Sequence, residues 1–236
     1  MKKILLILPI RILLFITIFL LMIPITNKKL NELTYTWSIV CTIVNIIVII
    51  LLIIIAKMND KTYLDIINYQ KNKTKFKDIL IISLIILSIG MGGMYLSGLI
   101  FYQEFPYIPI EIISPIKLFL AIINLLLLPI TTALAEDGLY LGVGVNNINN
   151  KYLKIIIPGL FFALQHSFIP LLFDIKFMAY RFISFLPLTF ILAYIYAKKK
   201  NPLPIIIGHA LIDLCTSVTI LIMSINPDIY NKLLNM

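Results

Sequence analysis

The sequence predicts an all-α protein, a polytopic transmembrane helix bundle of about seven spans. Three observations predict it. Of 236 residues, 61% are hydrophobic and only 13% are charged, which lies outside the usual composition of soluble domains. The mean hydropathy is +1.02. The apolar residues also form long, unalternating runs rather than the dyad pattern of a membrane barrel; in lipid, runs of about 20 residues must satisfy their own backbone hydrogen bonds as helices.

The runs cover residues 4–25, 36–56, 79–101, 115–145, 154–172, 180–197 and 203–224. The first opens as a signal peptide would, MKKILLILPI, but no A-x-A-like cleavage site follows and Pro24 leads into polar TNKKLNE, so it is kept as a span. In the third, Gly93 and Ser97 of MGGMYLSG have the small-x-x-x-small spacing of close helix packing. The fourth is longer than one crossing requires, which predicts a tilt, a kink near Pro129 or a projection beyond the membrane.

The net charge of +9 is distributed by loop rather than gathered in one patch, so it points to membrane topology and not to nucleic acid. Lys57, Lys61, Lys71, Lys73, Lys75 and Lys77 lie between spans two and three, Lys151 and Lys154 between four and five, and Lys198, Lys199 and Lys200 between six and seven. With Lys2 and Lys3 they fall on one side of a seven-span chain, while Glu32, Glu104, Glu111, Asp174 and Asp228 lie on the other. The positive-inside rule makes the amino terminus cytoplasmic and the carboxyl terminus external. Cys41 and Cys215 both fall within spans and imply no disulfide framework. The halves of the chain show no repeat, which weighs against an inverted-repeat transporter.

The polar residues inside the spans are few. LLLLPITTALAEDGLYLG carries Glu136 and Asp137, FFALQHSF carries His166, and PIIIGHALID carries His209 and Asp213; these are the only two histidines. Each buried charge costs roughly 2.5–3.5 kcal/mol on insertion scales, so such residues face a protein interior. At about 1.5 Å per residue, Glu136 lies roughly 13 Å from the cytoplasmic end of its span, His166 roughly 18 Å, His209 roughly 9 Å and Asp213 roughly 15 Å. Residues four apart share a helix face, which pairs His209 with Asp213 and Phe162 with His166, whereas Cys215 points away from His209 and is read as packing. Glu136 and Asp137 point about 100° apart, which predicts different roles.

In order, these segments resemble the three motifs of the CPBP family, which includes type II CaaX prenyl endopeptidases and bacterial bacteriocin-processing or immunity proteins. Its pattern is Glu-Glu-x-x-x-Arg, then Phe-x-x-x-His, then His-x-x-x-Asn or Asp. Glu136 and Asp137 stand for the glutamate pair, Phe162 and His166 for the second motif, and His209 and Asp213 for the third, with Gly142 and Pro204 at commonly occupied flanking positions. The resemblance covers about residues 115–220. It departs where the second glutamate is Asp137 and the arginine is Leu141, leaving Asp137 without an intrahelical partner; Arg11, read as the only arginine in a span core, is a candidate replacement unless it snorkels to the interface.

The resemblance implies an intramembrane endopeptidase with Glu136, His166, His209 and Asp213 catalytic and Asp137 and Phe162 supporting. Glu136 would act on a water held with His166, and His209 would donate to the oxyanion. Zinc on Glu136, His166 and His209 is the alternative cofactor reading; the absent HExxH spacing favours a metal-free site. The partners expected are the lipid bilayer and a peptide or protein substrate at the membrane, prenylated or bearing a leader peptide, approaching from the cytoplasmic side. Richness in isoleucine, lysine and asparagine suggests an AT-rich prokaryotic genome. The competing class is a noncatalytic immunity or regulatory protein using the same cleft, and a transporter is third. The chain divides into N-terminal helices with a basic cytoplasmic loop over 1–114, the protease-like core over 115–224 and a tail over 225–236.

Overall fold

A computed structural model describes residues 2–235, with side chains from Leu5 onward. Met1 and Met236, the ends of the first and last segments drawn above, and the side chains of Lys2 and Lys3 lie outside it. A 3-10 turn, Lys2–Ile7, leads into α1 (Ile10–Thr26), the short α2 (Leu30–Thr34), α3 (Trp37–Lys57) and the short α4 (Tyr63–Ile66). Then come α5 (Phe76–Tyr102), α6 (Leu118–Glu136), α7 (Leu153–His166), α8 (Ile175–Lys199), α9 (Leu203–Ile225) and α10 (Pro227–Leu234). No strand occurs among the described residues. Among the described residues, six helices are long and apolar enough to cross a membrane, and large side chains such as Leu20, Leu84, Phe119 and Ile130 stay exposed on the bundle's outside, as a lipid-facing surface requires.

The seventh traverse is made differently from the other six. The run 154–172 is helical only over Leu153–His166, about 21 Å at 1.5 Å per residue, which is short of the roughly 30 Å hydrocarbon. The helix stops ahead of Pro170, whose ring disfavours helical geometry in the residue before it. Irregular backbone survives at such depth only where protein covers it. Here Leu171 O accepts from Thr34 Oγ1 at 2.8 Å, Ile169 O from the Arg181 guanidinium at 3.1 Å, and Ser167 Oγ donates to Met178 O at 3.0 Å.

The long fourth run is one continuous helix whose geometry changes along its length. Pro129 sits buried within α6 without ending it; the departure comes later, where Asp137–Gly144 is π-helical and Val145–Asn147 is a 3-10 turn. A side chain inserted beside the helix accounts for the change. Tyr63 OH donates to Leu134 O at 2.6 Å, and a Cβ on Gly138 would lie only 2.8 Å from that hydroxyl.

The helices pack as α6 on α9 and α3, α7 on α8, and α5 on both α8 and α9, with α1 against α3. The small-residue motif does what its spacing predicts, since a Cβ on Gly93 would fall 2.2 Å from Ser184 O of α8. The basic loops meet at one end of the bundle: Lys73 reaches Lys200 O at 3.2 Å, Lys199 pairs with Asp78 at 2.9 Å, and Asn68 bonds Asn146 at 2.8 Å. The other end gathers the 103–117 connection and the carboxyl-terminal helix, where Ile116 N donates to Ser224 Oγ at 3.0 Å.

Candidate active site

Four helices deliver the polar side chains to one place. Glu136 is the last residue of α6, and only 1% of it is exposed. Its Oε1 meets Arg11 Nη2 at 2.7 Å. Its Oε2 has no hydrogen-bond partner among the described residues and faces His209 Nε2 at 3.5 Å and His166 Nε2 at 3.9 Å. His209 is in turn held through Nδ1, 3.2 Å from Asp137 Oδ1, and its Nε2 lies 3.6 Å from Asp213 Oδ2, which also lacks a hydrogen-bond partner. The predicted set of Glu136, Asp137, His166, His209 and Asp213 is therefore brought together, with Glu136 and Asp137 on opposite nitrogens of one imidazole.

Arg11 does not pair with Asp137 and does not snorkel. It is 1% exposed and bridges four helices: Nε donates to Asn45 Oδ1 at 3.0 Å, Nη2 also lies 3.0 Å from Cys41 Sγ, and Nη1 donates to Gln165 Oε1. The reason lies in the packing of α1 against α3, which turns Arg11 into the bundle beside α6 rather than toward the interface. Asp137 finds its partner on α9 instead. Leu141, at the motif's arginine position, is buried in the apolar core.

Aromatic rings frame the two imidazoles. His166 stacks on Phe185 with centroids 3.5 Å apart; Phe162 stacks on Tyr140 at 4.8 Å and lies 5.8 Å from His209. Gln165 Oε1 accepts from both Arg11 and Tyr140 OH, the latter at 3.0 Å, so its amide nitrogen is the atom left facing His166 Nε2 at 3.5 Å. That donor makes Nε2 the accepting nitrogen of a neutral His166 ring, turned toward Gln165.

The site lines a cavity of about 290 Å³. Beyond Glu136, His166, His209 and Asp213, its walls are mainly apolar residues of α5, α6, α8 and α9, and it extends past Trp37 to Tyr107, Pro109 and Ile112. Those last residues belong to the end opposite the lysine loops. Cys215 also lines the cavity rather than packing in the core.

Among the described residues, no group of three or more His, Cys, Asp or Glu is disposed to hold a metal ion. Glu136, the carboxylate of the candidate zinc set, already has one oxygen on a guanidinium.

Two buried residues escaped the sequence reading. Arg181 was placed at a span edge, yet α8 begins at Ile175 under an Asp174 cap accepting from Lys176 N at 2.8 Å, and Arg181 is 5% exposed against the cavity. Asp174 was the available signal, as an N-cap residue ahead of an apolar run. Gln165 is the other; a glutamine beside His166 in an apolar run marked a buried polar partner.

The fold and site define an integral membrane protein whose bundle buries a carboxylate between two imidazoles. Residues 118–215 match the family model described as Type II CAAX prenyl endopeptidase Rce1-like, which bears out the CPBP resemblance carried by the three motifs. That is a family of membrane proteases. No curated protein and no solved structure matches the chain.

Proposed function

We propose that the chain is an intramembrane endopeptidase that hydrolyses a peptide bond of a membrane-associated substrate with water activated by Glu136. The observation that carries the reading is the Glu136 carboxylate itself, with one oxygen fixed on Arg11 and the other free between His166 and His209 in a cavity wall. The gap between Glu136 Oε2 and His166 Nε2 is 3.9 Å, short enough for one water to bridge.

The water donates a hydrogen bond to Glu136 Oε2 beside the His166 ring, whose Nε2 faces the Gln165 amide, and turns an oxygen lone pair into the cavity. Glu136 takes the proton as the oxygen bonds to the scissile carbonyl carbon, and the carbonyl π electrons move to oxygen. His209, oriented by Asp137 through Nδ1 and acting in its imidazolium form, donates from Nε2 to that oxyanion. Collapse of the intermediate breaks the C–N bond, and the proton on Glu136 passes to the leaving nitrogen. Asp213, on the same helix face, orients His209. The domain division at 1–114, 115–224 and 225–236 follows this reading, as does a cytoplasmic amino terminus in a prokaryotic cell membrane, supported by the lysine loops sharing one end.

Membrane peptides from cells producing the intact chain are to be compared with those from cells producing Glu136→Gln at equal abundance. The expected outcome is a cleavage product present only with the intact chain, with the rate lowered about 10²-fold or more in the variant. Identical profiles together with a phenotype retained by the variant would instead favour a noncatalytic binding protein.

A further inference from the structure

The two ends of the bundle differ sharply in charge. The connections after α3, α6 and α8, with the helix ends they join, carry eleven lysines against Asp60, Asp65 and Asp78. At the opposite end Lys28, Lys29, Lys117, Lys176 and Lys232 are matched one for one by Glu32, Glu104, Glu111, Asp174 and Asp228. The positive-inside rule accounts for lysines on one side. It does not account for their being built into one surface.

Residues 71–77, which lead into α5, and 198–200, which end α8, are stitched together. Lys73 Nζ donates to Lys200 O at 3.2 Å, Thr74 Oγ1 donates to Asn201 Oδ1 at 3.1 Å, and Lys199 pairs with Asp78 at 2.9 Å. Asn201 is buried, so the joint is anchored in the bundle. Seven lysines are gathered by these contacts, and among the described residues only Lys199 has a carboxylate within salt-bridge distance. Ammonium groups held side by side repel one another, and an anion bound between them relieves that repulsion.

The surroundings narrow the anion. Phe76, 78% exposed, stands between Lys75 and Lys77, and Leu80 is exposed one turn further along α5. On α8, which packs against α5, Tyr194 is exposed with Lys198 Nζ 5.8 Å from its ring centroid. Cations and apolar side chains therefore adjoin at the end of one helix pair, and the ligand that satisfies both has an anionic head and apolar tails. An acidic peptide supplies the charge but nothing for Phe76, Leu80 and Tyr194. A peptide lying in the cavity does not reach the lysines either, because the cavity extends toward Tyr107, Pro109 and Ile112 at the opposite end.

We infer that the surface built by residues 71–77 and 198–200 is a binding site for an anionic phospholipid, with the phosphate on the lysine ammonium groups and the acyl chains along Phe76, Leu80 and Tyr194. The site is independent of the endopeptidase reading, which uses none of these residues.

The probe is dioleoylphosphatidylglycerol, compared with dioleoylphosphatidylcholine, titrated onto the purified full chain in nonionic detergent and counted by native mass spectrometry. The anionic lipid is expected to bind at least about tenfold more tightly than the zwitterionic lipid with the same chains, since each lysine near a phosphate is worth about 1 kcal/mol. The combined variant Lys71→Gln, Lys75→Gln, Lys77→Gln and Lys198→Gln leaves the Lys73 and Lys199 contacts in place and should lose most of that preference. A matched variant at the other end, Lys28→Gln, Lys29→Gln, Lys117→Gln and Lys232→Gln, should keep it. Equal binding of the two lipids by the unmodified chain, or a preference that survives in the first variant, would overturn the assignment. A preference that falls equally in both variants would overturn it as well, reducing the effect to net charge. Hexaglutamate is the competing probe: if it binds through the first set of lysines while the two lipids bind alike, the surface docks an acidic peptide instead. The lipids are compared on the unmodified chain, so the test does not depend on a variant folding.

Discussion

Residues 118–215 and the N-terminal helices α1 and α3 contribute unlike things to the same carboxylate. The first region, the one that matches the family model, supplies Glu136, His166, His209 and Asp213. The second supplies the guanidinium of Arg11 and, through α3, Asn45 and Cys41 around it. Asn45 continues inward, donating to Thr132 Oγ1 at 2.8 Å, so the N-terminal helices grip α6 one turn before the reactive residue. What differs is the type of bond. Within 118–215 the free Glu136 oxygen faces two imidazoles across 3.5–3.9 Å with no hydrogen-bond partner among the described residues, whereas Arg11 is held by short, charge-assisted contacts. The rigid half positions the carboxylate, and the unmatched half leaves it able to accept a proton.

Breaking the rigid half should have the largest structural effect. Arg11→Leu strands a carboxylate that is 1% exposed, and removing one partner of a buried pair costs about 3–5 kcal/mol. The expected result is a large fall in unfolding temperature in detergent and the loss of any cleavage. Arg11→Lys should recover part of the stability, because an ammonium can keep the contact with Glu136 but cannot reproduce the fork to Asn45, Gln165 and Cys41. A stable, active Arg11→Leu protein would mean that α1 is packing alone.

The same contrast explains what the sequence displayed and what it concealed. Glu136, His166, His209 and Asp213 stood out because each interrupts an apolar run and because the i, i+4 relation of His209 and Asp213 is a local property of one helix. Arg11 was visible as a candidate, but its partner was not, since a sequence does not give the rotation of α1 about α3. The partner of Asp137 was hidden for a related reason. An α-helix places it about 100° from Glu136, and both acids reach His209 because α9 sets that ring between them, with Nε2 toward Glu136 and Nδ1 toward Asp137. Six of the seven traverses were legible from length and hydropathy; the seventh was drawn too long because residues 167–172 are as apolar as a helix but depend on Thr34 and Arg181 for their backbone hydrogen bonds. No local pattern encodes those partners.

The π-helical turn gives a finer way to probe the comparison, since its start is set by Tyr63 from the N-terminal region acting on Leu134 and Gly138 of the core. Tyr63→Phe keeps the ring and deletes one hydrogen bond, for an expected loss of about 0.5–1.5 kcal/mol. If the turn places Asp137 on His209, the turnover of a cleaved peptide should fall more than this modest stability loss explains, with substrate binding unchanged. Equal, small effects on both would separate the turn from the site.

The smallest expected effect lies outside the membrane, in the loop that carries Tyr63. The Asp65 carboxylate accepts from Thr62 N at 2.8 Å and from the Thr62 hydroxyl at 2.7 Å, closing the capping box that starts α4. The Thr62 backbone N–H first, and its hydroxyl second, hold the Asp65 carboxyl below its ordinary value. A depressed carboxylate stabilises the fold above its unfolded pKa of about 3.9, and that contribution is lost as pH falls through the lower folded value. Amide exchange in residues 63–66 should therefore be insensitive to pH-linked opening at neutrality and rise, after correction for intrinsic exchange rates, only below about pH 4. Asp65→Asn should bring the faster exchange to neutral pH while leaving the amides of α6 protected. If α6 loosens with it, the loop and the bundle open as one unit, and the N-terminal region holds the core through α4 as well as through Arg11.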